Sequence, residues 1–346
     1  MSNTNLRKLI FANLCYSNSR LNALRSTIIE RRDALADEFD LAAVLKDVDV
    51  PKESEIAIDR QLNRAKQCGH SIIGFGSEYY PYLLSQIADF PLVLYCRGNM
   101  ERLKDEKKIA VVGSRKPTYD GKKMCDMAAR YLAKWPYTVV SGLAYGIDSL
   151  AHRGALSHGC PTIAVLANPV DEVMPHNHIN LAKQIIAQEG LIVSETPYFE
   201  RTYGHYYVRR NRIVSGMCQK VFIVEGARKS GSMTTAQHAL DQNRELYAMP
   251  GSICNVVAGG TNNLIKNGAH AVIEAEDLFI PDERPERAVR QYTHPVAQLL
   301  MEDGQMRIEK MSQMMDIPIH ILLSELTILE CQDILKVTGN MVTLVD

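Results

Sequence analysis

Ile109-Ala110-Val111-Val112-Gly113-Ser114-Arg115-Lys116-Pro117 is a short run of mostly β-branched residues that stops on a glycine and is followed by a proline. Four apolar residues bounded by turn formers read as a buried strand, and Pro117 is preset for the first turn of a helix. The same unit recurs. Thr138–Val140 leads into Ser141-Gly142-Leu143-Ala144-Tyr145-Gly146-Ile147-Asp148, and Val221–Val224 leads into Glu225-Gly226. Thr162–Leu166, Leu191–Val193 and Leu246–Met249 are further strand candidates. Segments of helical length lie between them: Lys122 to Ala133, Ile147 to Ser157, Ile179 to Gln188 and Thr234 to Asn243. From Lys107 to about Ile273 this alternation predicts an α/β fold, an extended Rossmann-like, doubly wound and mainly parallel sheet. Ligands of such sheets sit outside the carboxyl ends of the strands, which directs attention to the loops just quoted.

Upstream, Leu21, Leu24, Ile28, Ile29, Phe39, Leu41, Val44 and Leu45 keep helical spacing, so residues 1–62 are expected to be a small helical domain, SAM-like or helix-hairpin-helix-like. Ser71 to Phe75 and Leu92 to Tyr95 add two short strands, and the sheet domain is taken as 63–280. Residues 281–292, with Pro281 and Pro285 among charges, read as a linker. Beyond it, Val296 to Met301, Arg307 to Met315 and His320 to Leu329 are helical, and Gly339-Asn340 marks a hairpin turn. Residues 293–346 are therefore expected to be winged-helix-like.

The chain has 346 residues, 46% hydrophobic and 23% charged, which suits one large or two to three ordinary globular domains. Arg7-Lys8 before Leu9–Ala12 imitates a signal peptide, but Asn13, Asn18 and Arg20 interrupt the apolar stretch and no cleavage site follows. No apolar run approaches the ~20 residues of a membrane helix. Eight scattered cysteines without a Cys-x-x-Cys pair fit reduced thiols, and a cytoplasmic location is expected. The formal net charge is -1. That excludes a protein basic all over, but acidic residues dominate from Glu30 to Asp59, whereas Arg201 to Lys229 holds seven Lys/Arg against Glu225 alone.

Four segments carry the candidate chemistry. Gly113-Ser114-Arg115 offers a tight turn and freed amides beside cations, without the dinucleotide-binding glycine fingerprint. In the second, Ser141, Gly142 and Gly146 let backbone approach a phosphate, while Asp148 is read as a helix cap and His152 as a packed residue. In the third, Gly226 and Gly231 have Walker A spacing, but Ser232-Met233 stands where Lys and Ser/Thr are required. Lys229, Gly231, Ser232, Thr234 and Thr235 then form a hydroxyl-rich helix start suited to holding a phosphodiester without cleaving it. The fourth, Tyr203 to Arg212, sets Tyr207 and its neighbouring tyrosines beside Arg210, Asn211 and Arg212, a composition suited to single strands. His176-Asn177-His178 spells a nuclease motif but lacks separated ligands, and no metal or other cofactor is expected.

The ordered strings Val111–Arg115, Ser141–His152, Ser194-Glu195-Thr196-Pro197, Arg210–Ile213, Ser230–Ser232, Met249-Pro250-Gly251 and Gly260–Ile265 resemble the DNA-processing protein A (DprA/Smf) family over about residues 70 to 275. That resemblance implies a homodimeric, non-catalytic protein of natural transformation. It would bind single-stranded DNA without sequence preference, through a basic pocket at Arg115 and Arg210–Arg212, and load the RecA recombinase. Tyr207 stands where the family often has Phe. Ala167-Asn168-Pro169 departs from a Gly-rich family loop, and Pro169 removes an amide donor there. The presumed recognition helix contains Glu325, Glu330 and Asp333 but no Lys or Arg, so protein contact is expected of it rather than groove insertion. The alternative reading is a nucleotide-binding enzyme or sensor using Tyr145, Asp148 or Glu195 at a ribose.

Overall fold

Each apolar run of the central segment becomes a strand. The computed structural model describes residues 2–35, 39–279, 294–303, 305–331 and 334–344. It divides into two compact units, Met1–Leu278 and Phe279–Asp346.

In the first unit the strands are β1 (Ser71–Gly74), β2 (Val93–Gly98), β3 (Lys107–Val112), β4 (Tyr137–Ser141), β5 (Thr162–Leu166), β6 (Leu191–Ser194), β7 (Lys220–Ile223), β8 (Glu245–Ala248) and β9 (His270–Ala271). They form one sheet in the order β1-β2-β6-β5-β4-β3-β7-β8-β9. Every pairing from β6 through β9 is parallel, while β2 joins β6, and β1 joins β2, antiparallel. The predicted Rossmann-like sheet is therefore present, extended at one edge by the two upstream strands. The chain winds outward from β3 to β6, then returns to lay β7 on the other side of β3. That reversal opens a crevice above the carboxyl ends of β3, β4 and β7.

The helices of this unit are α1 (Asn3–Cys15), α2 (Asn18–Leu35), α3 (Leu41–Val44), α4 (Lys52–Cys68), α5 (Tyr82–Ser85), α6 (Tyr119–Leu132), α7 (Ile147–Ser157), α8 (Ile179–Ala187), α9 (Gly204–Gly216), α10 (Gly231–Asp241) and α11 (Gly259–Lys266). The basic, tyrosine-bearing segment Tyr203 to Arg212 lies almost entirely in α9. Residue 62, where the sequence places a boundary, falls inside α4. Leu9, Ile10, Ile28 and Ile58 of the helical segment belong to one apolar core with Val93, Leu94 and Val193 of the sheet.

The second unit holds α12 (Pro295–Asp303), β10 (Gln305–Arg307), α13 (Ile308–Met315), α14 (Ile319–Cys331), β11 (Leu335–Thr338) and β12 (Met341–Leu344). Its sheet runs β10-β12-β11, all antiparallel, with Gly339 at φ +65° in the expected hairpin turn. Val296, Leu300, Met311, Leu322, Leu326 and Val342 make its core. The outer side of α14 leaves Ile321 and Ile328 exposed, and Glu330 accepts the Val337 amide at 3.0 Å. The expected linker 281–292 and Asp333 lie outside the described residues.

One buried group gives this fold a defined response to acid. His152 of α7 is fully buried, with Nδ1 2.7 Å from the Thr162 hydroxyl. That hydroxyl spends its only proton on the Val139 carbonyl at 2.8 Å, so His152 must donate from Nδ1. Burial, with Arg210 and His178 adding to it, pushes the imidazole from 6.5 down to about 3. The unfolded chain therefore takes up a proton below pH 6.5 that the folded chain refuses until about pH 3. Stability is expected to fall as pH drops through this window, by up to about 1.4 kcal/mol per pH unit from this group. Urea titrations at pH 7 and 5, of the parent and of His152→Gln, check it: the variant should lose that share of the pH dependence.

Candidate functional site

The loops after β3, β4 and β7 and the start of α9 enclose a cleft of about 770 Å³. Of the residues expected at the site, Gly113, Ser114, Arg115, Gly142, Tyr207, Arg210, Asn211, Gly231, Ser232 and Thr235 line it. Ser141, Gly146, Arg212, Lys229 and Thr234 do not. For four of these five the structure gives the reason.

Ser141 is fully buried and its hydroxyl donates to the Val111 carbonyl at 2.7 Å, tying β4 to β3. Gly146 has φ +78°, and a Cβ there would stand 2.2 Å from the Ser114 carbonyl oxygen, so the first two loops meet on this residue. Ile147 N–H then donates to that same oxygen at 3.0 Å. Gly146→Ala should cost roughly 1–3 kcal/mol of stability through backbone strain alone, read as a lower urea midpoint. Thr234 is turned to its own helix start, donating to Gly231 O at 2.7 Å and accepting from Asn211 Nδ2 at 2.9 Å. Lys229 is exposed on the loop before α10.

Arg212 departs furthest from expectation. It is 2% exposed and donates through Nη2 to both oxygens of Glu195, at 2.7 and 2.6 Å, while its Nε reaches Asp89 at 3.1 Å. Arg209 at 3.1 Å and Arg25 of α2 at 3.6 Å complete the cluster around Glu195. Burial pushes the Glu195 carboxyl up, but Arg212, Arg209 and Arg25 together overcome it and hold the group below its ordinary range. This assembly fastens α9 to the N-terminal helices. It also removes Glu195 from any role at a ribose in the cleft.

Arg210 does face the cleft, but from a buried position. Its Nη1 donates to the carbonyls of Gly142, at 2.7 Å, and Val165. A Cβ on Gly142 would meet the guanidinium at 2.4 Å, so only glycine lets the arginine lie on this loop. Beneath it, Asp148 accepts from the backbone of Ala144 and Gly142; burial raises its carboxyl, against the pull of Arg210. Asp148 thus organises the loop rather than capping α7. Of the seven cations between Arg201 and Lys229, Arg210, Arg212 and Lys220 are buried. Arg201, Arg228 and Lys229 are exposed, as are Arg115 and Lys116 of the first loop.

The three loops differ as anion sites. The first helix start, at α6, is closed by an internal carboxylate: Glu225 accepts the Thr118 amide at 2.9 Å and the Thr118 hydroxyl. The starts of α7 and α10 carry no side-chain cap, at Gly146 and Ser230 respectively. The dipole and first amides of α10 favour negative charge at the cleft, whereas at α7 the Ile147 and Ser149 amides already donate to the Ser114 and Ala144 carbonyls. A Cβ on Gly231 would meet nothing within 4 Å, so the backbone is open to a ligand. Tyr145, 45% exposed and edge-on to His178 at 5.0 Å, lines the cleft with Tyr207. Met174, Pro175, Ala227 and Val257, none of them expected at the site, supply apolar wall. Ala167-Asn168-Pro169 is absent from it: Asn168 is buried, donating to the Pro169 carbonyl at 3.2 Å and accepting from Ser194 at 2.7 Å. Among the described residues no His, Cys, Asp and Glu group is placed to hold a metal. No helix among them is long and apolar enough to cross a membrane.

Fold and cleft together define a doubly wound α/β protein with an anion-attracting, aromatic-walled crevice at its switch point. The chain belongs to the DNA recombination-mediator protein A family, whose model matches residues 71–281. It is 38% identical over 238 residues to the DNA processing protein DprA of Bacillus subtilis, covering 69% of this chain and 79% of that one. Against the protein Smf of Escherichia coli it is 39% identical over 223 residues, 64% of this chain and 59% of the relative. The X-ray structure of DprA from Streptococcus pneumoniae superposes with a TM-score of 0.65 at 30% identity, covering 80% of this chain and 98% of that one. DNA processing protein A from Helicobacter pylori, whose structure is described by its single-stranded DNA binding mode, gives a TM-score of 0.55 at 32% identity, covering 60% of this chain and 93% of that one.

Proposed function

We propose that the cleft binds single-stranded DNA without sequence preference, and that the chain acts in DNA processing by positioning the strand rather than by breaking a bond. The observation that carries this reading is the convergence of the uncapped start of α10, the exposed Arg115 and two tyrosine side chains on one crevice. Phosphates find amides and cations there, and unstacked bases find rings, each stack contributing about 1–3 kcal/mol. Duplex DNA keeps its bases stacked and offers the rings nothing. The description of the Helicobacter pylori relative by its single-stranded DNA binding supports the same ligand. By the family's role as recombination mediator, the loaded protein, as a homodimer, would pass the strand to the RecA recombinase. Lacking Lys and Arg, α14 suits protein contact, in keeping with the sequence reading.

The test is a length series of single-stranded oligonucleotides against duplex and free mononucleotide at two salt concentrations. Affinity should grow with strand length, fall steeply with salt and exceed that for duplex. Tight saturable binding of a mononucleotide with no gain from longer strands would instead favour a nucleotide sensor built on Tyr145 and Asp148.

A further inference from the structure

The loop between β8 and α11 displays two large apolar side chains almost completely. Ile253 is 95% exposed and Val256 is 78% exposed. An isolated apolar side chain on a surface is ordinary, but this pair stands on a loop that is held rigidly. Asn262 pins Gly251 at both its amide, 3.0 Å, and its carbonyl, 2.8 Å. Asn255 N–H donates to the Ser252 carbonyl at 2.9 Å, and the Asn255 side chain accepts the Val257 amide at 3.2 Å. The Val257 carbonyl in turn accepts from Gly226 at 2.7 Å, joining the loop to the one that follows β7. Val257 itself lines the cleft. The loop is thus continuous with the cleft wall through Val257, and the Arg228 side chain runs beside its far end, its Cγ 3.6 Å from where a Cβ of Gly259 would lie. Arg228 and Lys229 are exposed.

An apolar tip on a hydrogen-bonded loop that borders an exposed arginine at its far end and a cleft at Val257 suits a polyanion that also carries apolar faces. Aliphatic side chains set against unstacked bases are an established device in DNA recognition, and the cost of unstacking that they meet in duplexes is absent in a single strand. We infer that Ile253 and Val256 form an exit contact for single-stranded DNA: bases leaving the cleft lie against these two side chains, while Arg228 and Lys229 hold the accompanying phosphates. The inference rests on the reading of the cleft as a single-strand site and adds to it a second, non-ionic contact and the side on which the strand departs.

The experiment compares the full chain with its Ile253→Ser/Val256→Ser variant, using fluorescein-labelled oligothymidylates from about 4 to 16 nucleotides, the range of single-strand site sizes. Both residues are exposed, so the variant should keep the parent's urea midpoint. The shortest strands should bind both proteins equally, and the longer ones should bind the variant about fivefold more weakly. The slope of log affinity against log salt should be the same for both, because no phosphate contact is removed. Abasic sites in the part of a long strand beyond the cleft should cost the parent the same fivefold and cost the variant nothing, closing a double-mutant cycle. Equal affinities at every length, a loss that is uniform with length, or a changed salt slope would overturn the exit contact. So would unchanged DNA binding with altered self-association, which would make the tip a protein interface. A parent that binds no strand at any length would overturn the cleft reading as well.

Discussion

Arg212→Ala is expected to lower the free energy of unfolding by about 3–5 kcal/mol, although its position in an Arg-Asn-Arg string beside a DNA cleft invites reading it as a phosphate contact. The side chain is 2% exposed and supplies both short bonds to Glu195. Removing it leaves a buried carboxylate with only Arg209 at 3.1 Å and Arg25 at 3.6 Å, and strips Asp89 of the Nε partner it has at 3.1 Å. Urea denaturation measures the loss. A change within about 0.5 kcal/mol, the level of an ordinary surface substitution, would contradict the assignment. The cluster also has a pH signature of known sign. The Glu195 carboxyl lies below its ordinary 4.5 in the folded chain, so its contribution is present above that pH and is lost as pH falls through the depressed folded value. It sets in at lower pH than the contribution of His152, whose window opens at 6.5.

Arg115→Ala should have the complementary effect, with binding lost and stability retained. The side chain is exposed on the first loop and lines the cleft. Deleting one cation that meets a phosphate should weaken single-strand binding about tenfold at moderate salt, or ~1.4 kcal/mol. It should also reduce the slope of log affinity against log salt by about 0.7, the value for one phosphate neutralised on a single strand. Fluorescence anisotropy titrations at several salt concentrations read both quantities. A weaker affinity with an unchanged slope would mean that Arg115 acts by shaping the loop.

Much of the sheet was legible because its signals are local. Thr162–Leu166 and Ile147–Ser157 coincide with β5 and α7, and Gly113, Gly142 and Gly226 after β3, β4 and β7 mark where the chain turns at the crevice. That alternation pointed to the carboxyl ends of the strands, and so to the first three loops of the site, whereas the switch point itself came only with the strand order. The charged segment 201–229 was legible only in part. Composition counts cations, whereas burial depends on partners far along the chain: Glu195 is 17 positions from Arg212, and Gly142 is 68 from Arg210. Three of the seven cations there are consequently structural. Asp148 was misread as a cap for the same reason, since its partners, the backbone of Gly142 and Ala144, belong to the loop it supports. Tyr145 carried a signal in the sequence, an aromatic residue flanked by small residues and glycine in a strand-to-helix loop. Val257 carried none: it comes to the cleft from the loop before α11, where its carbonyl accepts from Gly226.

The most direct test of a single-strand site at this crevice is photocrosslinking of a 5-bromodeoxyuridine-substituted strand to the full chain, followed by mapping of the adducts. The account predicts adducts on Tyr207 and Tyr145 and on the loop from Ala227 to Ser232, all suppressed by unlabelled single strand and not by mononucleotide. Adducts confined to α14, or to Tyr79 and Tyr82 beside the start of β3, would contradict it.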